Sequence, residues 1–357
     1  MKMNIHFNSL SKRIKVAAFI GVVILAVTGC KKDSPSDTGT GSSFDGSTIK
    51  FVLNDNFNFG ITYGAFTYAA LTDTLAKPGP YTVLAPDDNA FKLVNITEPV
   101  AAYTFQFYTK RRLVDMMRYN ILPGKISFRS TPLVQNRRLL TLMGGNVYLS
   151  KYLNGTDTIT TINGLKLIST DNAASNGYIQ VLPQLLNVET YNKVMDYMRN
   201  DTTLTLFTEA LHRASLDASL LSGNDVYTIL APSNTAMQQS AKLGLDLGVS
   251  TLDSILQADP IKLAGLLKYH LIKGRYFEGD LYRYATMHPQ GIETLIGTSL
   301  GIGGDPAGFH AIKFTGTGNN GTPAAIATPK QYDPTTNNAN IPCGNAVIHI
   351  IDRILIQ

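Results

Sequence analysis

Hydrophobic and polar positions along this 357-residue chain follow a pattern that occurs twice. "YTVLAPDDNAF" begins at Tyr81 and "YTILAPSNTAM" at Tyr227, and six of their eleven residues are identical. In each, a β-favouring Tyr-Thr-Val/Ile-Leu run predicts a short buried strand. Pro86 or Pro232 ends it, because proline brings no N–H to a ladder. Side-chain oxygens of Asp87-Asp88 or Ser233-Asn234 then suit the free N–H groups of a new helix beginning at Ala90-Phe91 or Ala236-Met237. Farther on, Leu113, Met116, Met117 and Asn120 fall at i, i+3, i+4 and i+7 and predict a helix with one inward face. Leu263, Leu266, Leu267 and His270 repeat that spacing. Gly124 and Gly274 are expected to stop these two helices. The runs "NGYIQVLPQLL" from Asn176 and "NAVIHIIDRIL" from Asn345 predict closing strands, apolar on both faces except at Gln180 and His349.

Three phrases in one order, written twice, are a tandem duplication. Their separation grows from 146 to 150 to 169 residues, which places an insertion in the second copy, mostly between Ala285 and Cys343. The strand-to-helix phrases, the "RYNILPGK" and "KYHLIKGR" segments, and the closing strands together resemble the three signature regions of the fasciclin-like domain family. The resemblance spans residues 47–189 and 190–357. It implies an α+β fold, each domain a wedge-shaped β-sandwich with packed helices. It also implies an extracellular or surface role in adhesion or matrix binding without catalysis. The family's Tyr-His pair stands at Tyr269-His270, whereas the first copy has Tyr119-Asn120. In animal members the region around that pair is linked to receptor binding, so the resemblance carries a ligand-binding suggestion to Tyr269 and His270 alone. Near the end, Ile350-Ile351-Asp352 fits the family and Val181-Leu182-Pro183 departs from it. Each copy has its own junction, helix and closing strand, so the two are expected to fold separately, joined at Asn187 to Tyr191.

The first 46 residues read differently. Lys2, Lys12, Arg13 and Lys15 precede an apolar run from Val16 to Val27, too short to span a bilayer comfortably and suited to a signal peptide over residues 1–29. The run ends in "VTGC", which resembles the lipobox of bacterial lipoproteins and implies cleavage before Cys30 and lipid on its sulfur. Several acyl chains hold a protein on a membrane far better than one does. Residues 30–46 are Ser, Gly, Asp and Lys with almost nothing apolar, a flexible tether reaching roughly 20–25 Å. Lys31, Lys32 and Asp33 partly resemble a surface-export signal. The expected location is therefore the outer membrane, at the cell surface or else facing the periplasm.

Charge adds little beyond this. Of 31 basic residues against 26 acidic ones, four basic residues precede Cys30, so the mature chain is close to neutral and no nucleic-acid partner is indicated. With Cys30 lipidated, Cys343 has no partner for an intrachain disulfide. There is no Trp, and 17 Tyr are the main aromatic supply for stacking on a ligand.

Signs of catalysis dissolve on reading. "GTSLG" around Ser299 satisfies G-x-S-x-G, but a nucleophile elbow requires strand, sharp turn and helix, and "IGGDPAGF" cannot be a helix. It aligns with "GGNVYL" of the first copy and predicts a β-hairpin. His212, His270, His288, His310 and His349 show no local metal-pair spacing. The Gly-rich runs lack the helix and Lys-Ser/Thr of a phosphate loop. "KRRLVDMMR" from Lys110 opens a helix with a solvated charged face. No catalytic residue, metal or cofactor is expected. The expectation is an envelope lipoprotein that mediates adhesion or binds extracellular protein or matrix. The alternative is a glycan-binding accessory subunit of a nutrient-uptake system. Binding is expected on the second copy, where the insertion supplies Phe309, Phe314 and Tyr332 as stacking surface beside Tyr269 and His270.

Overall fold

A computed structural model describes residues 48–98, 109–221, 223–242, 244–308, 310–328 and 338–357. The leader, the tether with Cys30, Phe309 and Tyr332 lie outside the described residues. In the first half, helices Ile49–Asp55, Gly60–Tyr68 and Thr72–Ala76 lead into β1 (Tyr81–Pro86). Asp87 then accepts a 2.8 Å hydrogen bond from the Ala90 amide and caps the helix Asp88–Lys92, as the sequence predicts. Helix Lys110–Tyr119 follows, with Leu113, Met116 and Met117 buried and Lys110, Arg111 and Arg112 exposed. Next come β2 (Ile121–Pro123), β3 (Val134–Leu140), β4 (Asn146–Asn154), β5 (Asp157–Ile162), β6 (Leu165–Lys166), β7 (Ser169–Ala174) and β8 (Gly177–Leu182).

Two four-stranded sheets result, in the orders β2-β1-β8-β7 and β3-β4-β5-β6. β1 and β8 run parallel at the centre of the first sheet. Alternate residues of β1 face different cores: Val83 and Ala85 pack against the helices, and Leu84 packs against the second sheet with Val147, Leu149 and Ile162. That explains why these strands are apolar on both faces. Gln180, the polar exception in β8, donates to the Asp171 carboxylate at 2.8 Å.

The second half repeats the plan. Helices Val194–Asn200 and Thr205–Arg213 precede β9 (Tyr227–Pro232), and helices Asn234–Lys242, Leu252–Gln257 and Pro260–Lys268 follow. Then come β10 (Leu271–Lys273), helix Glu278–Met287, β11 (Ile292–Glu293), β12 (Ser299–Gly304), β13 (Ile312–Thr315), β14 (Ala324–Ala325), β15 (Ile341–Cys343) and β16 (Ala346–Ile351). The sheets are β10-β9-β16-β15, with β9 and β16 parallel, and β11-β12-β13-β14. The fold is α+β throughout, a two-sheet sandwich with packed helices in each half.

Two expectations need correction. Gly124 and Gly274 do not stop helices. The helices end at Tyr119 and Lys268, and the chain then adds β2 or β10 to the edge of β1 or β9. The glycines, at φ +96° and +107°, turn the chain out of those short strands. Likewise, much of the stretch assigned to an insertion is framework, since β11 to β14 are the counterpart of β3 to β6.

The halves meet on buried residues. Tyr148 of β4 packs with Phe277 and Val347. The Arg275 guanidinium lies 3.9 Å over the Tyr148 ring and donates to the carbonyls of Cys343, Gly344 and Ala346. The Tyr148 hydroxyl donates to the buried Glu189 carboxylate. Asn187 donates to Ala339 O at 2.6 Å, so the join between the halves is itself packed.

Candidate functional site

At the carboxyl ends of β9 and β16 the second half opens a cleft of about 740 Å³. Both central strands stop here for sequence reasons: Pro232 ends β9, and Asp352-Arg353 follow β16. Ser233 lies on the floor and accepts from the Ala236 amide, capping the helix behind it. Tyr191 and Tyr197 stand on one wall with ring centroids 6.0 Å apart, edge to face. The Tyr197 hydroxyl donates to Asp201, and burial pushes its pKa well up, with Asp201 adding to the effect. Asp201 also accepts from the amide and hydroxyl of Thr203 at 2.8 and 2.6 Å. One Asp352 oxygen accepts from the Ala325 amide at 2.8 Å. The Arg353 Nε has no hydrogen-bond partner among the described residues. The cleft thus holds two carboxylates, one guanidinium, amides, hydroxyls and two aromatic rings on fixed backbone.

The first half supplies an internal comparison. Asn345 accepts from the Val194 amide, as Asn176 does from the Ile49 amide. Matched through these bonds, Tyr197, Asp201 and Thr202 stand where Val52, Asn56 and Phe57 stand. Asp352 and Arg353 stand where Pro183 and Gln184 stand. The Asx turn at Asp201 is kept, since Asn56 accepts from the Asn58 amide. The ring, the carboxylates and the guanidinium are particular to the second half, and the first presents Phe57, 99% exposed.

The structure gathers the residues singled out from the sequence elsewhere. Tyr269 is 1% exposed and donates to Ser299 O at 3.1 Å. His270 is fully buried; its Nδ1 lies 3.0 Å from Leu266 O and its Nε2 accepts from the Leu355 amide at 2.9 Å. Burial lowers its pKa to about 4, so the ring is neutral. Phe314 is fully buried between the two sheets of its half. Tyr269, His270 and Phe314 are therefore core side chains, a correction to the expectation that they face a ligand. The inward face of the helix and the alternation of β13 put them there. Phe309 and Tyr332 lie outside the described residues, as does the lipid-attachment residue Cys30.

The remaining candidates are structural. Ser299 begins β12 in a hairpin with β11, and a strand follows it where an elbow requires a helix. His349 is buried with its Nε2 3.0 Å from Tyr276 O. His310, at φ +48°, pairs through Nδ1 with Glu278 at 2.5 Å, and Asn340 donates to the same carboxylate. No group of three His, Cys, Asp or Glu suited to a metal ion occurs among the described residues. None of the described helices is long and apolar enough to cross a membrane. The sequence reading missed the cleft. Its one visible signal was Asp352, where the closing strands of the two halves diverge.

Comparison with known proteins agrees with the architecture. The family model "Fasciclin domain" matches residues 57–188 and 202–357. Transforming growth factor-beta-induced protein ig-h3 of Sus scrofa is 26% identical over 306 residues, covering 82% of this chain and 38% of that protein. Human periostin is 25% identical over 228 residues, covering 62% and 22%. Protein sll1483 of Synechocystis sp. is 30% identical over 139 residues, covering 39% and 72%. The chain thus spans well under half the length of ig-h3 and periostin. A solved FAS1 domain pair of the insect cell adhesion molecule Fasciclin I aligns over 84% of this chain and 97% of its own, at 16% identity and a TM-score of 0.38.

Proposed function

The chain belongs to the fasciclin domain family, and on that premise we propose that it is a binding protein of the cell envelope, held by lipid on Cys30 and engaging extracellular protein or matrix. The observation that carries this reading is the tandem pair of fasciclin domains, which the chain has in common with the ig-h3 and periostin relatives it resembles in sequence. The leader pattern ending in "VTGC" supports the anchor. The cleft at the carboxyl ends of β9 and β16 is lined by groups able to bind a ligand. Its mixed polar and aromatic lining favours a second reading, a glycan-binding accessory subunit of an uptake system.

Two measurements test the proposal. Replacing Cys30→Ser should move the protein from the membrane fraction to the soluble fraction, or leave it uncleaved. Mass spectrometry that finds an unmodified mature N-terminus elsewhere would remove the anchor. Purified protein should bind saturably to some members of an array of matrix proteins. An array with no saturable binder would remove the adhesion reading.

A further inference from the structure

We propose that the cleft at the carboxyl ends of β9 and β16 is a binding site for a neutral carbohydrate chain. This deepens the second reading above and rests on it. The argument begins with shape. A cleft of about 740 Å³ has room for a small ligand of several rings, within the range of ordinary ligand pockets. Chemistry narrows the class. Asp201 and Asp352 offer carboxylate oxygens, and the half-buried Arg353 offers its guanidinium. A polyhydroxyl ligand both donates and accepts at every position, so it can satisfy acceptors and donors of this kind together. An anionic ligand such as a phosphate would face two carboxylates against one guanidinium. An apolar ligand would strip water from all three charges without replacing those hydrogen bonds.

The aromatic wall fits the same class. Tyr191 can offer apolar ring surface beside a polar tip, which suits the C–H face and hydroxyl rim of a sugar ring, while Tyr197, packed against the core with its hydroxyl on Asp201, braces it edge to face. The polar groups are also held in place. Asp201 is fixed by Thr203 and Tyr197, and Asp352 by the Ala325 amide, so little rotamer freedom is lost on binding. Finally, the duplication separates fold from function. The Asx turn and the Asn that ties the first helix to the closing strand occur in both halves. Tyr197 and Arg353 stand where the first half has Val52 and Gln184, whereas at Asp352 the second half keeps the residue that fits the family and the first half departs from it with Pro183.

The experiment uses the full chain and a panel of soluble neutral hexasaccharides of glucose, mannose, xylose and galactose, read by calorimetry and by saturation-transfer NMR. Binding of at least one is expected at about millimolar affinity or better. Thr202→Trp and Thr235→Arg fill the cleft from exposed rim positions and should weaken it by roughly tenfold or more. Phe57→Ala, at the matched place in the first half, should leave it unchanged. Asp352→Asn keeps an acceptor for the Ala325 amide and should also weaken binding, which serves if a rim variant melts early. No binding across the panel would overturn the proposal, and so would binding that the rim variants and Asp352→Asn all leave intact. A matrix peptide that protects the cleft while no sugar binds would overturn it too. Retained binding to matrix proteins by the rim variants would show that the adhesion reading stands separately.

Discussion

His270 and Asp280 show how single side chains set the acid response of the second half. His270 is neutral in the folded state because burial lowers its pKa to about 4. The unfolded imidazole takes a proton near pH 6.5 that the folded ring refuses until about 4. Stability therefore falls as pH drops through that window, by about 3 kcal/mol in all. Asp280 acts in the opposite sense. Burial lifts its carboxyl to about 6, so the unfolded chain releases the proton first and stability is lost as pH rises between about 4 and 6. Asp280→Asn should raise the melting temperature at pH 7.5 relative to wild type and lose that advantage at pH 4, as followed by circular dichroism. His270→Asn, which copies Asn120, should cost about 1–3 kcal/mol at pH 7 by stranding the Leu355 amide. The same variant should flatten the pH dependence between 4 and 6.5. Denaturant melts at several pH values check both parts. The inward face of His270 was legible from its i+7 spacing; that its Nε2 would meet the C-terminal segment was not, because 85 residues separate the two.

Among the elements, the asparagine before each closing strand holds the most together. Asn176 accepts from the Ile49 amide and donates to the carbonyls of Leu75 and Lys77, tying the first helix and the turn after the third to β8. Asn345 repeats this with Val194 and Leu221. Asn176→Ala would leave buried backbone groups unpaired and should destabilise the first half by about 2–4 kcal/mol, measured by urea denaturation. Hydrogen exchange should rise first in Ile49–Asp55. The long elements were legible because their periodicity is strong: β1, β9 and the helix Lys110–Tyr119 stand where the apolar spacing places them. β2 and β10 were not, since three apolar residues after an apolar helical face carry no period of their own. β12 was legible as a hairpin strand, whereas β13 and β14 are so short, at four and two residues, that they carry little alternation of their own.

For the molecule as a whole, the contact between halves matters as much as either core. Arg275 stacks on Tyr148 and donates to three carbonyls of the β15–β16 turn. Gly164 fits against Phe277 so closely that a Cβ there would lie 2.3 Å from the Phe277 Cβ. Calorimetry should therefore show one cooperative transition for the native chain. Arg275→Ala, which removes the stacking cation and its hydrogen bonds, should separate it into two. A single unchanged transition would show that the contact carries no coupling. The duplication was readable because its phrases repeat in order. The interface was not, because Tyr148 and Arg275 belong to different phrases, Glu189 belongs to none, and nothing local marks them as neighbours.

Cys343 sits beneath the Arg275 hydrogen bonds, fully buried, with its thiol pushed up to about 12 mainly by burial. A thiol so protonated and enclosed is inert to oxidants and disulfides while the β15–β16 turn stays closed. With Cys30 lipidated or replaced by Ser, Cys343 becomes a clock built into the molecule. The rate at which a thiol reagent labels it counts the openings of the second half, and Arg275→Ala should make that clock run faster.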